Sequence, residues 1–466
     1  MESTPSDIRV EDIPDIVKGL RSYFDTGATL PYEWRKRQLE GLSKVLKLHM
    51  DEWIAALHED LGSHLYEAKM LILSSLSDIQ HTMGKFKSWM KPKSISNPWI
   101  LYPGGTELVP EPYGVVCDFI PFNYPINMGI DTMIPIIAAG NACVLKPSSN
   151  TPACARLYQT LIPRYMDNNA IKVICGPTSI CTSILECRFD FIFYTGSPSV
   201  AKSVMTAAAR YLTPVLLELG GKSPVFVDKE LHLEKCVKRL ISGKMFNGGQ
   251  TCVAPDYCLV HSSIFDEFVQ KVQSVVQAFY GDVSQFNDNM THIINKRHYD
   301  RLCNVIDTSG GNVVVMGHRD PERLYIGPTI IVNPSLESEL MTEEIFGPVL
   351  PIISVENREA AIEFIRAREK PLALYILSSD SATADLFTKR TSSGAILVND
   401  VVFHVSSQDT PFGGVGNSGM GQYHGKFGFK SLSHMKPVMT HSTFFDFESR
   451  YPPYTQDKMD FASKFV

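Results

Sequence analysis

The chain has 466 residues, of which 44% are hydrophobic and 20% charged, with a net charge of −6 and a pI near 6.1. That length is too great for one ordinary core, so two large domains are expected. The acidic balance offers no general basic face, which excludes nucleic acid as the expected partner and leaves any phosphate recognition local.

The first 90 residues are helix-rich, with an amphipathic repeat through Trp34, Leu39, Leu42, Val45 and Leu46 that resumes at Trp53. Short extended runs follow over 100–108. Between Gly114 and Asp228, apolar runs at 115–120, 142–146, 171–175, 189–194, 215–219 and 224–228 read as strands. Intervening segments are long enough for crossover helices. One is expected over 199–211, with Val200, Met205 and Ala208 inward and Thr213-Pro214 ending it. This rhythm implies a parallel sheet covered on both faces. It resumes after Cys252 with strands at 257–261, 313–315, 349–355, 372–378 and 395–398 and helices at 265–280 and 358–367, implying a second α/β domain.

The longest apolar region, 128–145, is broken by Asp131, Gly140 and Asn141, so no membrane span is expected. The chain ends on a short polar segment and Lys464-Phe465-Val466, without a hydrophobic tail or a nearby cysteine for prenylation, so a soluble protein is expected. Ten cysteines, at positions 117, 143, 154, 175, 181, 187, 236, 252, 258 and 303, form no CxxC pair and follow no secretory start. Reduced thiols in the cytoplasm are expected, each a small buried hydrophobe except at 252, and no metal site is expected.

Chemistry concentrates in Phe246-Asn247-Gly248-Gly249-Gln250-Thr251-Cys252, which follows Leu217-Glu218-Leu219-Gly220-Gly221-Lys222 and sets Cys252 34 residues after Glu218. A cysteine thiolate is the strongest side-chain nucleophile near neutral pH, and a nearby carboxylate can activate the water that releases a covalent intermediate. The glycine pair bares backbone N–H groups for a developing oxyanion.

These two segments, in this order and at this spacing, resemble the E-L-G-G-K and G-Q-x-C signatures of the aldehyde dehydrogenase superfamily. Pro121-Phe122-Asn123-Tyr124-Pro125, Gly140-Asn141-Ala142-Cys143-Val144-Leu145-Lys146-Pro147, Phe193-Tyr194-Thr195-Gly196-Ser197 and Glu343-Glu344-Ile345-Phe346-Gly347-Pro348 extend the resemblance along nearly the whole chain. Gly416-Asn417-Ser418-Gly419-Met420-Gly421, Tyr423-His424-Gly425-Lys426 and Arg450-Tyr451-Pro452-Pro453 are similar to the class 3 or fatty-aldehyde branch.

The resemblance implies a two-domain α/β architecture. A Rossmann-type parallel sheet over 1–90 and 112–217 would bind the cofactor, 218–430 would form the catalytic α/β domain, and 91–111 with 431–466 would form bridging arms that pair two subunits as a homodimer. It implies NAD(P)-dependent oxidation of medium- or long-chain aliphatic or aromatic aldehydes to acids, with Cys252 as nucleophile, Glu218 as general base and Asn123 as oxyanion donor. Lys146 and Ser149 would meet the adenosine ribose, Gly196 and Ser197 the pyrophosphate, Glu344 the nicotinamide ribose and Phe346 its ring.

Ser149 stands where NAD-preferring members carry a glutamate that repels a 2′-phosphate, so NADP acceptance is expected. Ser199 is a candidate helix cap. Phe122 stands where the branch usually has Trp, and Ala201 where the pattern has glycine. His424 stays outside the catalytic set. Coenzyme A acylation and a catalytically idle scaffold remain as alternatives; Glu218 argues against the first, and Cys252, Glu218 and Asn123 together against the second.

Overall fold

In the computed structural model, which describes residues 8–98 and 101–463, the alternating apolar runs and helices resolve into two large, mostly parallel sheets. One has the order Gly419–Met420, Val215–Leu219, Phe191–Gly196, Val115–Phe119, Ala142–Lys146, Ile171–Val173, parallel except at Gly419–Met420. Val115–Phe119 and Ala142–Lys146 are buried at every position, as strands with helices on both faces must be.

The second sheet has the order Asn312–Val315, Thr329–Val332, Val349–Val355, Tyr257–His261, Pro224–Val227, Ala373–Leu377, Ala395–Val398, with the first strand antiparallel. The run at 224–228, read as continuing the first unit, therefore lies in the second sheet. Val215–Leu219 lies whole in the first sheet, so the chain crosses over 220–223, beyond the boundary expected at 217/218. It returns when Gly419 and Met420 pair with Glu218 and Leu217.

The helix expected over 199–211 spans Pro198–Ala209, and its buried residues are Ala201, Val204 and Ala208. Val200 and Met205, expected inward, are 48% and 40% exposed. Steps of three and four residues keep 201, 204 and 208 on one face, and 200 and 205 fall to its flanks. In the N-terminal helices Ile13–Asp25, Tyr32–Lys47, Met50–Leu61 and Leu65–Trp89, the expected inward residues Trp34, Leu39, Leu42, Val45, Leu46 and Trp53 are all buried.

Lys93–Ile95, Gly105–Pro112 and Ser433–Thr440 form an antiparallel three-stranded sheet, in register from Ser433 opposite Pro112 to Thr440 opposite Gly105. Ile100, expected to open this arm, and the terminal Lys464-Phe465-Val466 lie outside the described residues. The polar tail includes a helix, Gln456–Ser463. No helix among the described residues is long and apolar enough to cross a membrane. Cys175, Cys181, Cys187 and Cys303 are half-buried rather than buried: Cys175 and Cys187 follow the ends of their elements, and Cys181 reaches the main cleft.

Candidate active site

Ligands of open α/β sheets bind beyond the carboxyl ends of the strands, and there a cleft of about 1780 Å³ opens. Every expected site residue lines it: Asn123, Lys146, Ser149, Gly196, Ser197, Glu218, Cys252, Glu344 and Phe346. Lys146, Gly196 and Glu218 lie at or next to the ends of parallel strands; Asn123, Ser149 and Ser197 follow such ends.

The turn before Cys252 is left-handed at three consecutive residues, Asn247 (φ 54°), Gly248 (φ 61°) and Gly249 (φ 71°). A Cβ on Gly249 would lie 2.3 Å from the Gly347 carbonyl oxygen, and one on Gly248 2.7 Å from the Thr291 carbonyl oxygen. The glycine pair is thus required by backbone hand and close approach, beyond the bare N–H groups expected of it. Gln250, buried, fixes the next step: its amide donates to the carbonyls of His292 (2.8 Å) and Asn247 (3.2 Å) and accepts from the Ile294 N–H (3.0 Å). Cys252 keeps partial exposure to the cleft.

Asn123 joins this turn. Its Nδ2 donates to the Gln250 carbonyl (2.9 Å), and Asn247 Nδ2 donates to the Asn123 carbonyl (2.8 Å). A primary amide has two hydrogens, so one remains for an oxyanion in the cleft.

Glu218 is buried, and among the described residues neither carboxylate oxygen has a hydrogen-bond partner. Burial pushes its carboxyl up to about 7, opposed by the Cys252 thiol. Burial, then the Glu218 charge, push the Cys252 thiol well above its ordinary range. The cysteine therefore rests as a neutral thiol, not the low-pKa thiolate of many reactive cysteines. A carboxylate titrating near neutrality is matched to take that proton as a bond to sulfur forms.

In the other half of the cleft, Lys146 is buried and its Nζ donates to the carbonyls of Pro147 (2.9 Å) and Gly176 (3.0 Å), leaving one ammonium hydrogen. Ser149 is exposed on the following loop. Ser197, not Ser199, is the N-cap of helix Pro198–Ala209; it makes no side-chain cap bond among the described residues and meets the Ser199 hydroxyl at 3.0 Å. The helix's first N–H groups are thus left for an anion. A Cβ on Gly196 would lie 2.4 Å from the Tyr194 hydroxyl, which keeps this approach open. A dinucleotide fits this combination of buried ammonium, uncapped helix start and long cleft.

Glu344 is seated on the Glu218 segment: its Oε1 accepts from the Gly221 N–H (3.1 Å), and a Cβ on Gly220 would lie 2.3 Å from that oxygen. Burial pushes its carboxyl up to about 8. Phe346 is left-handed (φ 51°), and its ring lies 5.8 Å from that of Phe122, which in turn lies 5.6 Å from His298.

The Aldehyde dehydrogenase family model matches residues 3–438. This chain belongs to the aldehyde dehydrogenase family. It is 41% identical to aldehyde dehydrogenase family 3 member H1 of Arabidopsis thaliana over 449 residues, covering 96% of this chain and 93% of that one. It is 40% identical to a dimeric NADP-preferring aldehyde dehydrogenase of Canis lupus familiaris over 444 residues, 95% of this chain and 98% of the relative. A solved substrate-bound state of Staphylococcus aureus AldH superposes with a TM-score of 0.94 at 38% identity, covering 97% of this chain and 98% of that one.

Sequence reasoning did not single out several groups that this aldehyde dehydrogenase places at the cleft or directly behind it. His298, Arg297 and Arg301 line the cleft from helix Lys296–Asp307. The signal for that helix was present in Asn295, whose side chain caps it by accepting from the His298 N–H (3.0 Å). Burial pushes His298 down to about 4, so its ring is neutral beside Phe122. Asn247 was quoted only as part of the cysteine motif, and its hold on Asn123 spans 124 residues, beyond any local pattern.

Proposed function

We propose that this aldehyde dehydrogenase oxidises medium- or long-chain aliphatic or aromatic aldehydes to free acids, using Cys252, Glu218 and Asn123. The Cys252 sulfur attacks the carbonyl carbon, and the thiol proton passes to Glu218 as the C–S bond forms. The resulting oxyanion accepts from the Cys252 backbone N–H and the free amide hydrogen of Asn123. When bound, NAD or NADP would supply the two-electron oxidant that accepts the aldehyde hydrogen as hydride, and Cys252 would then carry the acyl group as a thioester. Glu218, its proton lost to solvent, then deprotonates the attacking water; the C–S bond breaks, the acid departs and the sulfur regains a proton.

Lys146 and Ser149 would hold the adenosine ribose, and Gly196 with Ser197 would admit the pyrophosphate to the start of helix Pro198–Ala209. Glu344 would leave Gly221 to take the nicotinamide ribose, with Phe346 against the ring. Ser149 puts a hydroxyl where a carboxylate would repel a 2′-phosphate, which favours NADP acceptance. The first sheet with its N-terminal helices serves as the cofactor domain, the second as the catalytic domain. The strand Ser433–Thr440, exposed over most of its length, and its half-buried neighbour Gly105–Pro112 would be the arms of a cytoplasmic homodimer.

The observation that carries this reading is the convergence of a thiol, a near-neutral carboxyl and an amide donor at one end of the dinucleotide-sized cleft. The test follows absorbance of the reduced nicotinamide with hexanal or benzaldehyde and NAD or NADP, beside Cys252→Ala. Reduction lost in the variant is expected. Cofactor binding without reduction of either cofactor would return the chain to the idle scaffold, and a requirement for added coenzyme A would redirect it to acyl transfer.

A further inference from the structure

The N-terminal helices read as packing elements, yet one of their side chains enters the machinery that presents the nucleophile. Glu67 lies in the first turn of helix Leu65–Trp89, where the helix dipole favours a carboxylate. A single oxygen, Oε2, accepts both from the Asn247 backbone N–H (3.2 Å) and from the Thr291 hydroxyl (3.1 Å). Asn247 is only 2% exposed, so without this acceptor its N–H would be a buried, unpaired donor.

Those bonds close a circuit around Cys252. Asn247 opens the left-handed turn, and its side chain donates to the carbonyls of Asn123 (2.8 Å) and Gln250 (3.3 Å). The Thr291 carbonyl is the group that forbids a side chain on Gly248, and the neighbouring Gln250 amide donates to the His292 carbonyl. The His292 N–H in turn donates to the Leu61 carbonyl (2.8 Å), and a Cβ on Gly62 would lie 2.7 Å from the His292 ring. The segment that starts Glu67's helix is therefore docked on the loop that backs the nucleophile turn. Burial pushes the Glu67 carboxyl up to about 7 against its two hydrogen bonds, so its ionisation is not what the fold preserves. The constant element is one acceptor oxygen at a set reach.

We propose that Glu67 is a positioning residue for the oxidation: it holds Asn247 in the left-handed turn and thereby sets Cys252 and the Asn123 amide in register for the same carbonyl. The role rests on the reading of Cys252 and Asn123 given above. It requires the acceptor and its reach, not the charge.

Two conservative variants separate these requirements. Glu67→Gln keeps length and an acceptor oxygen but removes the charge; Glu67→Asp keeps the charge and withdraws the oxygen by one methylene. Because a misplacement of about 1 Å can cost ~10²-fold in rate, kcat should fall at least ~10-fold in Glu67→Asp and stay within ~3-fold in Glu67→Gln. In both, KM for hexanal and Kd for NADP should change less than ~2-fold by the same reasoning. The rate of Cys252 alkylation by iodoacetamide without cofactor should follow the same order, since it reads presentation of the thiol alone.

The proposal is overturned if Glu67→Gln falls as far as Glu67→Asp, if both keep full kcat, or if lost kcat is matched by equal losses in KM and Kd. Absence of aldehyde oxidation in the unmodified protein would instead sink the activity itself, and the alkylation series would still report on Glu67.

Discussion

Glu218 and Cys252, 34 residues apart in the chain, line the same cleft, and each bears on the other's proton. The carboxyl charge helps hold the thiol neutral, and the thiol partly offsets the burial that lifts the carboxyl to about 7. A neutral thiol protects a cysteine that is partly open to the cleft from oxidation before substrate arrives.

Activity should therefore rise with pH through about 7, as Glu218 ionises and becomes able to accept a proton. Glu218→Gln should lower steady-state turnover by at least ~10²-fold and flatten that limb. Because Glu218 also takes the thiol proton before cofactor reduction, stopped-flow traces should lose or slow the burst; a full burst would confine the glutamate to hydrolysis.

The same group makes stability depend on pH. Its folded pKa, about 7, lies above its ordinary 4.5, so the folded state holds the proton more tightly and stability falls as pH climbs through that window. Glu218→Gln removes the term. The variant should gain roughly 1–3 kcal/mol on the parent between pH 5 and pH 8, read from urea unfolding at both values; an unchanged difference would contradict the burial of an ionisable Glu218.

Asn123→Ala deletes the donor offered to the oxyanion. A loss of ~10²–10³ in kcat with KM changed less than ~3-fold is expected. A change confined to KM would make Asn123 a ground-state contact only.

Ser149→Glu restores a carboxylate on the exposed loop after strand Ala142–Lys146. Like-charge repulsion should reduce kcat/KM for NADP at least ~10-fold while NAD is spared. Equal effects on both cofactors would detach position 149 from the 2′-phosphate.

Gly249→Ala places a methyl against the Gly347 carbonyl at a residue with φ of 71°. Strain and overpacking together should cost about 2–4 kcal/mol, measured by urea denaturation. A variant with unaltered stability and alkylation rate would mean that the turn is not held as tightly as its geometry indicates.

Much of the fold was legible because its signals are local. Period-two and period-3.6 patterns marked the strands at 142–146, 215–219 and 349–355 to the residue, and the inward face of the N-terminal helices. Helix Pro198–Ala209 was misphased at Val200 and Met205, which lie off the three- and four-residue steps that join the buried Ala201, Val204 and Ala208. Periodicity did not say which sheet takes Pro224–Val227, because an apolar strand reads alike in either; only the boundary implied by the resemblance, at 217/218, put that run with the second unit.

The sequence by itself determined that this chain alternates strands and helices and that its chemistry centres on a cysteine after a glycine turn, properties set by residue type and short spacing. Which residues approach one cleft came from the family resemblance of its motifs. Only the tertiary structure decided that Cys252 rests protonated, that Glu344 sits on the Gly220-Gly221 turn, that Gln250 clamps the nucleophile loop, and that Glu67 reaches Asn247 from a helix 180 residues away. Desolvation and hydrogen-bond reach depend on distances between segments remote in the chain, and no local pattern carries those distances.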